Sequence, residues 1–196
     1  MTMIRNLLAL IGVLALIIII YAFIKFEPVY SRFNTFDEKA TETYKTLFNN
    51  ILETGNAAEA TVWKMQVKEG VSTSDVDEIM KFTANQHNIK NVGELPLSKQ
   101  VESMSGKPYR FMKIYMFCNA LTAAKMADYS DAFSAYLPCR VSLIEDKTGK
   151  LWIYSLNMDL MIHGGTPLPE ELKKEALNVK KIILDIMTRG ASGDIF

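Results

Sequence analysis

The chain has 196 residues, of which 22 are basic, 22 are acidic and 49% are hydrophobic. This length fits one ordinary domain with a short appendage. The formal net charge of zero argues against a nucleic-acid-binding protein, because neutralising phosphates requires an excess of Lys and Arg. With 22% charged residues, 10 Gly and 6 Pro, the composition also argues against a disordered or low-complexity chain.

The hydrophobic excess lies near the N-terminus, in Leu7–Ile24, where 18 consecutive residues carry no charge. A helix of this length spans about 27 Å, close to the hydrocarbon thickness of a bilayer. Arg5 and Lys25 flank the segment, and Tyr21 and Phe23 lie near its end, where interfacial aromatic residues are common. A cleaved signal peptide usually has a shorter apolar core and a small-x-small cleavage site. The sequence therefore favours an uncleaved, single-pass membrane anchor.

We predict four regions: a short tail at residues 1–6, a transmembrane anchor at 7–24, a connector at 25–57 and a soluble domain at 58–196. After residue 24 the chain carries 21 basic and 22 acidic residues, which is an ordinary balance for a soluble domain. The basic residues flanking the anchor are nearly even in number, so they set its orientation only weakly. A very short N-terminal tail usually stays cytoplasmic, so we expect a bacterial inner-membrane protein with its domain in the periplasm.

The connector is predicted to contain a helix break and then an amphipathic helix. Glu27-Pro28 is expected to end the membrane helix, and Thr35 and Glu38 have the spacing of a capping box. Apolar residues follow at helical spacing before Gly55: Ala40, Tyr44, Leu47 and Ile51. Three apolar steps are too few to indicate a coiled coil, so this helix either packs on its own domain or pairs with a second copy.

The rest of the chain alternates between strand and helix patterns. Strand patterns cover residues 61–67, 89–97, 110–118, 138–145 and 151–157, with a hairpin turn at 146–149. Helix patterns follow a Ser74-Asp77 capping signal, begin again at Asn119, and run from Pro169 to Gly190; a polar loop is expected at 103–108. After the connector helix, the order strand-helix-strand-strand-helix-strand-strand-helix predicts an α+β domain. Its mainly antiparallel sheet is expected to be covered on one face by helices.

Catalytic motifs are missing from the sequence. There is no phosphate-binding loop, dinucleotide fingerprint or nucleophile elbow, and His87 and His163 are the two histidines. His87 lies near a predicted helix end, where a capping role is expected. Whether the chain is an enzyme is left open, with a non-catalytic protein favoured.

The two cysteines, Cys118 and Cys139, are candidate functional residues. Strand alternation places each of them on an apolar face: Cys118 with Met112, Ile114 and Met116, and Cys139 with Val141 and Leu143. Three alternatives remain open. The pair forms two buried structural thiols, or a disulfide permitted by export, or a working thiol or metal site. The 20 intervening residues do not match a zinc signature.

A second candidate site lies before the Gly164-Gly165 loop. Met158, Met161 and His163 are soft or borderline ligands, and exported Met/His clusters can bind copper. Copper or haem ligation is therefore one hypothesis for these three residues. In the alternative, the methionines fill the core or an interface and His163 ends a strand.

The stretch from Trp63 onward resembles the bacterial family called domain of unknown function 302. Three features carry the resemblance: Leu137-Pro138 before a strand, the acidic-x-x-Gly turn Asp146–Gly149, and the aromatic strand Trp152–Asn157 ending in Asn. The resemblance implies a small α+β domain able to dimerise and implies no established reaction. This chain departs from the commoner family pattern in two ways. Cys118 stands in place of the Gly of an F-G-N-P motif, and a membrane anchor is added. The chain is therefore most similar to a cysteine-bearing branch in exported proteins of sulfur- and one-carbon-metabolising bacteria.

Two functional hypotheses result. The first is a non-catalytic accessory or binding subunit that associates with a membrane or respiratory complex, with a homodimer as a further possible assembly. The second is a thiol- or metal-dependent site built on Cys118, Cys139 and His163, handling sulfur compounds, haem or copper. No cofactor is required by the sequence.

Overall fold

The computed structural model describes residues 2–194. The helices within this range are α1 (Thr2–Phe33), α2 (Ala40–Thr54), α3 (Ala57–Ala60), α4 (Thr73–Gln86), α5 (Leu97–Ser105), α6 (Ala120–Tyr129), α7 (Asp159–His163) and α8 (Glu170–Ser192). The strands are β1 (Val62–Gln66), β2 (Lys90–Leu95), β3 (Met112–Cys118), β4 (Cys139–Glu145) and β5 (Leu151–Leu156). A short 3₁₀ segment covers Asp131–Tyr136.

The five strands form one sheet in the order β1-β5-β4-β3-β2, and every neighbouring pair is antiparallel. The hairpin between β4 and β5 sets Glu145 opposite Leu151 and Val141 opposite Ser155. Strand β2 carries an irregularity between Asn91 and Gly93 where it pairs with β3. The α+β fold with an antiparallel sheet is therefore confirmed.

The main core lies between one face of the sheet and the helices α4 and α8, which pack on each other. Its fully buried side chains come from both layers: Val76, Met80, Tyr115, Phe117, Val141, Leu143, Ile153, Ile183, Ile186 and Met187. The strand residues in this set alternate along β3, β4 and β5, as expected for a sheet with one face against the helices. Burial of these apolar side chains is the main force that holds the two layers together.

The N-terminal helix α1 is longer than the sequence predicted. It is long and apolar enough to cross a membrane, and none of its residues is buried against the rest of the chain. The expectation that Pro28 ends it is wrong, because the helix continues through Pro28 to Phe33. Proline removes one backbone donor, and the turns on either side still carry residues compatible with a helix.

The connector helix α2 packs against α3 and α7, so it lies on its own domain. Its C-terminal end at Gly55, in the left-handed conformation with φ 63°, is as predicted. The capping box at Thr35 is wrong, since the Thr35 hydroxyl donates to the Arg32 carbonyl oxygen and closes the end of α1 instead. Helix α2 begins after Lys39, which provides no side-chain cap.

Three further boundaries differ from the prediction. Helix α4 is capped by a reciprocal Ser72–Asp75 box rather than by Ser74 and Asp77. The expected polar loop at 103–108 is half right, since residues 103–105 form the last turn of helix α5, which packs on β3, and residues 106–108 lie outside the helix. Helix α8 continues past Gly190 to Ser192, because this glycine is buried inside the helix, where a Cβ would lie 2.7 Å from Met80 Cγ.

Candidate functional site

An apolar cavity lies where the ends of β3, β4 and β5 meet α6, α8 and the 3₁₀ segment. The centre of a water molecule can occupy about 50 Å³ of it. Its walls are mainly aliphatic, aromatic and sulfur-bearing side chains, among them Phe117, Cys118, Ala123, Met126, Phe133, Tyr136, Cys139, Leu156, Met158, Met161, Ala176 and Val179. Such a space favours an apolar molecule, or a soft metal ion that binds sulfur, over a strongly hydrated charged group.

Both predicted cysteines line this cavity, which lies where β3 ends and β4 begins. Cys139 is paired with Phe117 across β3 and β4, and Cys118 is the next residue after Phe117. The two cysteines are therefore close together at the same end of the sheet, although strand alternation places them on opposite faces, and each of them is partly buried. Both are free thiols.

Burial keeps both thiols in the protonated form. It raises the pKa of Cys139 to about 11, with the neighbouring Cys118 adding to the effect, and it also raises the pKa of Cys118. Because the thiolate is the nucleophile and the metal ligand, neither cysteine is an activated nucleophile at neutral pH. Binding a soft metal ion here would require the release of protons from these thiols.

Three methionines complete the sulfur-bearing part of the cavity wall. Met158 and Met126 are buried in a small second hydrophobic cluster, and the half-buried Met161 packs against it. The structure thus brings Met158 and Met161 to the same cavity as Cys118 and Cys139. Met126 was not singled out in the sequence, because its place beside the cysteines depends on how α6 packs on the sheet.

His163, the third residue of the predicted Met/His cluster, does not line this cavity. It is the last residue of α7 rather than the end of a strand, and it is 3% exposed. Its Nδ1 lies 2.9 Å from Oδ1 of Asp37. The structure therefore separates His163 from the two cysteines and gives it an acidic partner in the connector.

Asp37, which sequence reasoning missed, is the centre of a buried polar cluster. Besides His163, its carboxylate accepts hydrogen bonds from Lys173 Nζ at 2.5 Å and from the Lys39 backbone N–H at 3.0 Å. Burial opposes ionisation of Asp37, but these hydrogen bonds outweigh it and lower its pKa to about 2. A buried carboxylate needs such partners to remain charged.

An open cleft adjoins the cavity on the side of the connector helix. The centre of a water molecule can occupy about 670 Å³ of it. Its polar walls include side chains from α2, α7 and α8: Lys39, Glu42, Thr43, Thr46, Asn50, Asp159, His163 and Lys180. Lys180 forms an ion pair with Asp159, so these two side chains neutralise each other.

A second charged cluster joins α4, β2 and β3. Lys81 contacts Asp77 at 2.7 Å and Glu94 at 2.6 Å, and Lys113 bonds to the same two carboxylates. The Tyr115 hydroxyl donates to Asp77 at 2.7 Å. Desolvation and the neighbouring Asp77 charge raise the pKa of Tyr115, which keeps it neutral. This closed, mutually satisfied set stabilises the fold rather than offering free groups to a ligand.

A conventional metal site was sought among the described residues. Among residues 2–194, no group of three or more His, Cys, Asp or Glu side chains is placed to hold a metal ion. A soft ion in the cavity would have to combine the two cysteines with methionine thioethers. The fold and the site define a small α+β domain that follows an apolar helix of membrane-spanning length and contains a sulfur-lined cavity.

The comparisons with known proteins assign this domain to a family. The model of Domain of unknown function DUF302 matches residues 63–189, about two thirds of the chain. The chain therefore belongs to this family, as the sequence predicted. It is also similar to the crystal structure of an uncharacterised conserved DUF302 protein from Bacillus stearothermophilus, at 15% identity and a TM-score of 0.54. That match covers 66% of this chain and 97% of the other and shows the fold alone. No curated protein matches the chain.

Proposed function

We propose that this protein is a single-pass protein of the bacterial inner membrane, with its domain in the periplasm, and that it acts as a non-catalytic accessory or binding subunit of a membrane complex. The apolar helix α1, none of whose residues is buried in the isolated chain, supports the anchor. The protonated state of both cavity thiols and the paired state of the charged clusters support a binding role over a catalytic one.

The attachment of the connector to the domain is the observation that carries this proposal. Asp37 lies four residues after the end of α1, and its side chain is fully buried against His163 and Lys173. The Phe33 ring also lies 6.1 Å from the Tyr44 ring, which joins the end of α1 to α2. A domain fastened this close to its anchor keeps one orientation relative to the bilayer, which suits recognition of a membrane-embedded partner.

An apolar stripe on α2 is the surface that we expect a partner to contact. Tyr44, Phe48 and Leu52 are spaced four residues apart and lie on the exposed side of the helix. Phe48 and Leu52 are 60% and 68% exposed. Exposed apolar residues grouped in this way mark interaction surfaces more often than scattered ones do.

The experiment is gentle detergent extraction of the full chain from its native membrane, followed by cross-linking and mass spectrometry. We expect a specific membrane partner with the native chain and its loss with the double variant Phe48→Ser/Leu52→Ser. Glu53→Ser, an exposed change on the same helix, should retain it. Recovery of the native chain alone as a monomer would contradict the accessory role. Protease digestion of spheroplasts tests the orientation: a domain that stays protected would contradict the periplasmic placement.

A soft-metal or thiol site is a second candidate function, and the shared cavity of the two cysteines favours it. Cys118 and Cys139 with Met126, Met158 and Met161 provide five sulfur-bearing side chains around one space. Thiolates and thioethers are the ligands that Cu(I) prefers. Titration of the reduced full chain with Cu(I) should show one tight site that is lost in Cys118→Ser and Cys139→Ser. Equal affinity in both variants and the native chain would exclude this site. Optical spectra recorded after haem is added to the full chain test whether the same site binds haem instead.

A further inference from the structure

The apolar cavity and the polar cleft share part of their walls. Phe133, Tyr136, Leu156 and Met161 line both spaces. These four side chains therefore lie on the boundary between the two spaces, and rotamer changes in exposed side chains occur within picoseconds to nanoseconds. Tyr136 and Leu156 are both more than one third exposed, so two of these four side chains already reach the surface. The two spaces form the inner and outer parts of one site.

The two parts differ in chemistry in a way that matches an amphiphile. The inner part is lined by aliphatic, aromatic and sulfur-bearing groups whose thiols are neutral. The outer part offers hydroxyl and amide groups, including those of Thr43, Thr46 and Asn50 on α2. A ligand with an apolar chain gains from burial in the first part, while its polar end can form hydrogen bonds in the second.

The charges of the cleft balance each other. Lys180 is paired with Asp159, and Lys39 faces the cleft together with Glu42. Nδ1 of His163 is held by Asp37. A charged head group would meet both positive and negative side chains. The net attraction would then be too small to compensate for the loss of its hydration. An uncharged hydrogen-bonding head group has no such penalty.

The position of the cleft indicates where such a ligand comes from. One wall of the cleft is α2, which begins seven residues after the end of α1. The buried Asp37 between these helices keeps the cleft close to the end of the membrane-compatible helix. A molecule that leaves a bilayer spanned by α1 therefore reaches the opening over about 14 Å, the length of the nine helical residues 25–33.

We propose that the domain binds an uncharged amphiphile, with its apolar chain in the sulfur-lined cavity and its neutral hydrogen-bonding head group in the cleft beside α2. The binding needs no partner protein, so it stands independently of the accessory role. It occupies the cavity of the second candidate function, and a bound metal ion would compete with it.

Octanol, octanoate and octyltrimethylammonium are suitable probes, since they share one chain and differ in head-group charge. The full chain is reconstituted in lipid nanodiscs, and each probe is compared at the same free aqueous concentration. Octanol should raise the thermal midpoint of the domain by several degrees and slow alkylation of Cys139 several-fold, whereas the two charged probes should do neither. A charged probe that protects better than octanol would overturn the proposal.

Helix α6 supplies a matched pair of variants. Ala123 lines the cavity and its neighbour Ala124 is exposed. Ala123→Phe should abolish the effect of octanol on the thermal midpoint, and Ala124→Phe should preserve it. An equal octanol effect in both variants would show non-specific action and overturn the proposal. If Ala123→Phe does not fold, the alkylation rate of Cys139 in the native chain decides instead. A rate that octanol fails to slow would also overturn the proposal. The Cu(I) titration and the partner cross-linking have separate readouts. The absence of an octanol effect would therefore leave both of those results interpretable.

Discussion

Asp37 and His163 are 126 residues apart in the chain and meet in a buried hydrogen bond of 2.9 Å. The aspartate belongs to the connector that follows α1, and the histidine ends α7 inside the domain. Lys173 of α8 holds the other carboxylate oxygen, and the Asp37 backbone N–H donates to the Gly165 carbonyl oxygen at 2.8 Å. This cluster links the segment that follows α1 to the domain.

Replacing Asp37 by Ala should destabilise the domain by about 2–4 kcal/mol, because it leaves buried His163 and Lys173 without their acidic partner. The free energy of unfolding is measured by urea titration of the full chain in micelles. Asp128→Ala, which removes an exposed carboxylate on α6, is the matched control and should change stability little. Equal losses in the two variants would show that the cluster does not stabilise the fold.

The same cluster should make stability fall in acid. The pKa of Asp37 is lowered to about 2 in the folded domain, from an ordinary value of 3.8, so the unfolded chain binds its proton first. The contribution is present above about pH 4 and is lost as the pH falls toward 2, and it amounts to about 2 kcal/mol. The stability difference between the native chain and Asp37→Asn should shrink by that amount from pH 5 to pH 2. A difference that stays constant over this range would contradict it.

The longer elements could be predicted from sequence because their signals are local. Strand β5 and helix α8 follow the two-residue and 3.6-residue periods of their apolar positions. The short helices α5 and α7 escaped prediction, since helices of nine and five residues gain most of their stability from packing. The early end assigned to α8 has a similar cause, because Gly190 is there for contact with Met80 and not as a stop.

The candidate site was only partly predictable. Cys118, Cys139, Met158 and Met161 could be chosen by their chemistry, and the cavity lies where β3 ends at Cys118 and β4 begins at Cys139. Asp37 could not be found this way, because it resembles any exposed connector aspartate until partners more than a hundred residues away meet it. Long-range packing therefore decides both what His163 does and where the cleft forms.

The charged cluster around Asp77 should be a second stabilising unit. Asp77→Ala removes the acceptor of the Tyr115 hydroxyl and one of the two carboxylates that hold Lys113. We expect a loss of about 1–3 kcal/mol. Glu78→Ala, at the exposed neighbouring position of α4, should have little effect. Thermal unfolding of both variants tests this, and the cluster would be irrelevant to stability if their midpoints agreed.

Gly190 should be intolerant of even one added methyl group. In Gly190→Ala the new Cβ would lie 2.7 Å from Met80 Cγ and 3.2 Å from Ile153 Cδ1, so either the Met80 side chain or α8 itself must shift. The expected loss is about 1–3 kcal/mol, as for other overpacked cores. Gly165→Ala is the control, because a Cβ at that position meets nothing within 4 Å and the backbone is not left-handed. A neutral effect of Gly190→Ala would show that the helix–sheet contact is looser than the structure indicates.

The two thiols should react slowly with alkylating reagents while the domain is folded. Burial raises the pKa of Cys139 to about 11 and raises that of Cys118 as well, and thiolate is the reactive form. Cys139→Ser and Cys118→Ser leave one thiol each, so the alkylation rate of the remaining thiol can be followed by intact mass. Cys139 should be the slower of the two at pH 7.5, its rate should rise with pH, and urea should bring both to the rate of a free cysteine. Fast reaction of Cys139 in the folded chain would instead indicate an activated thiol and favour a catalytic site in the cavity.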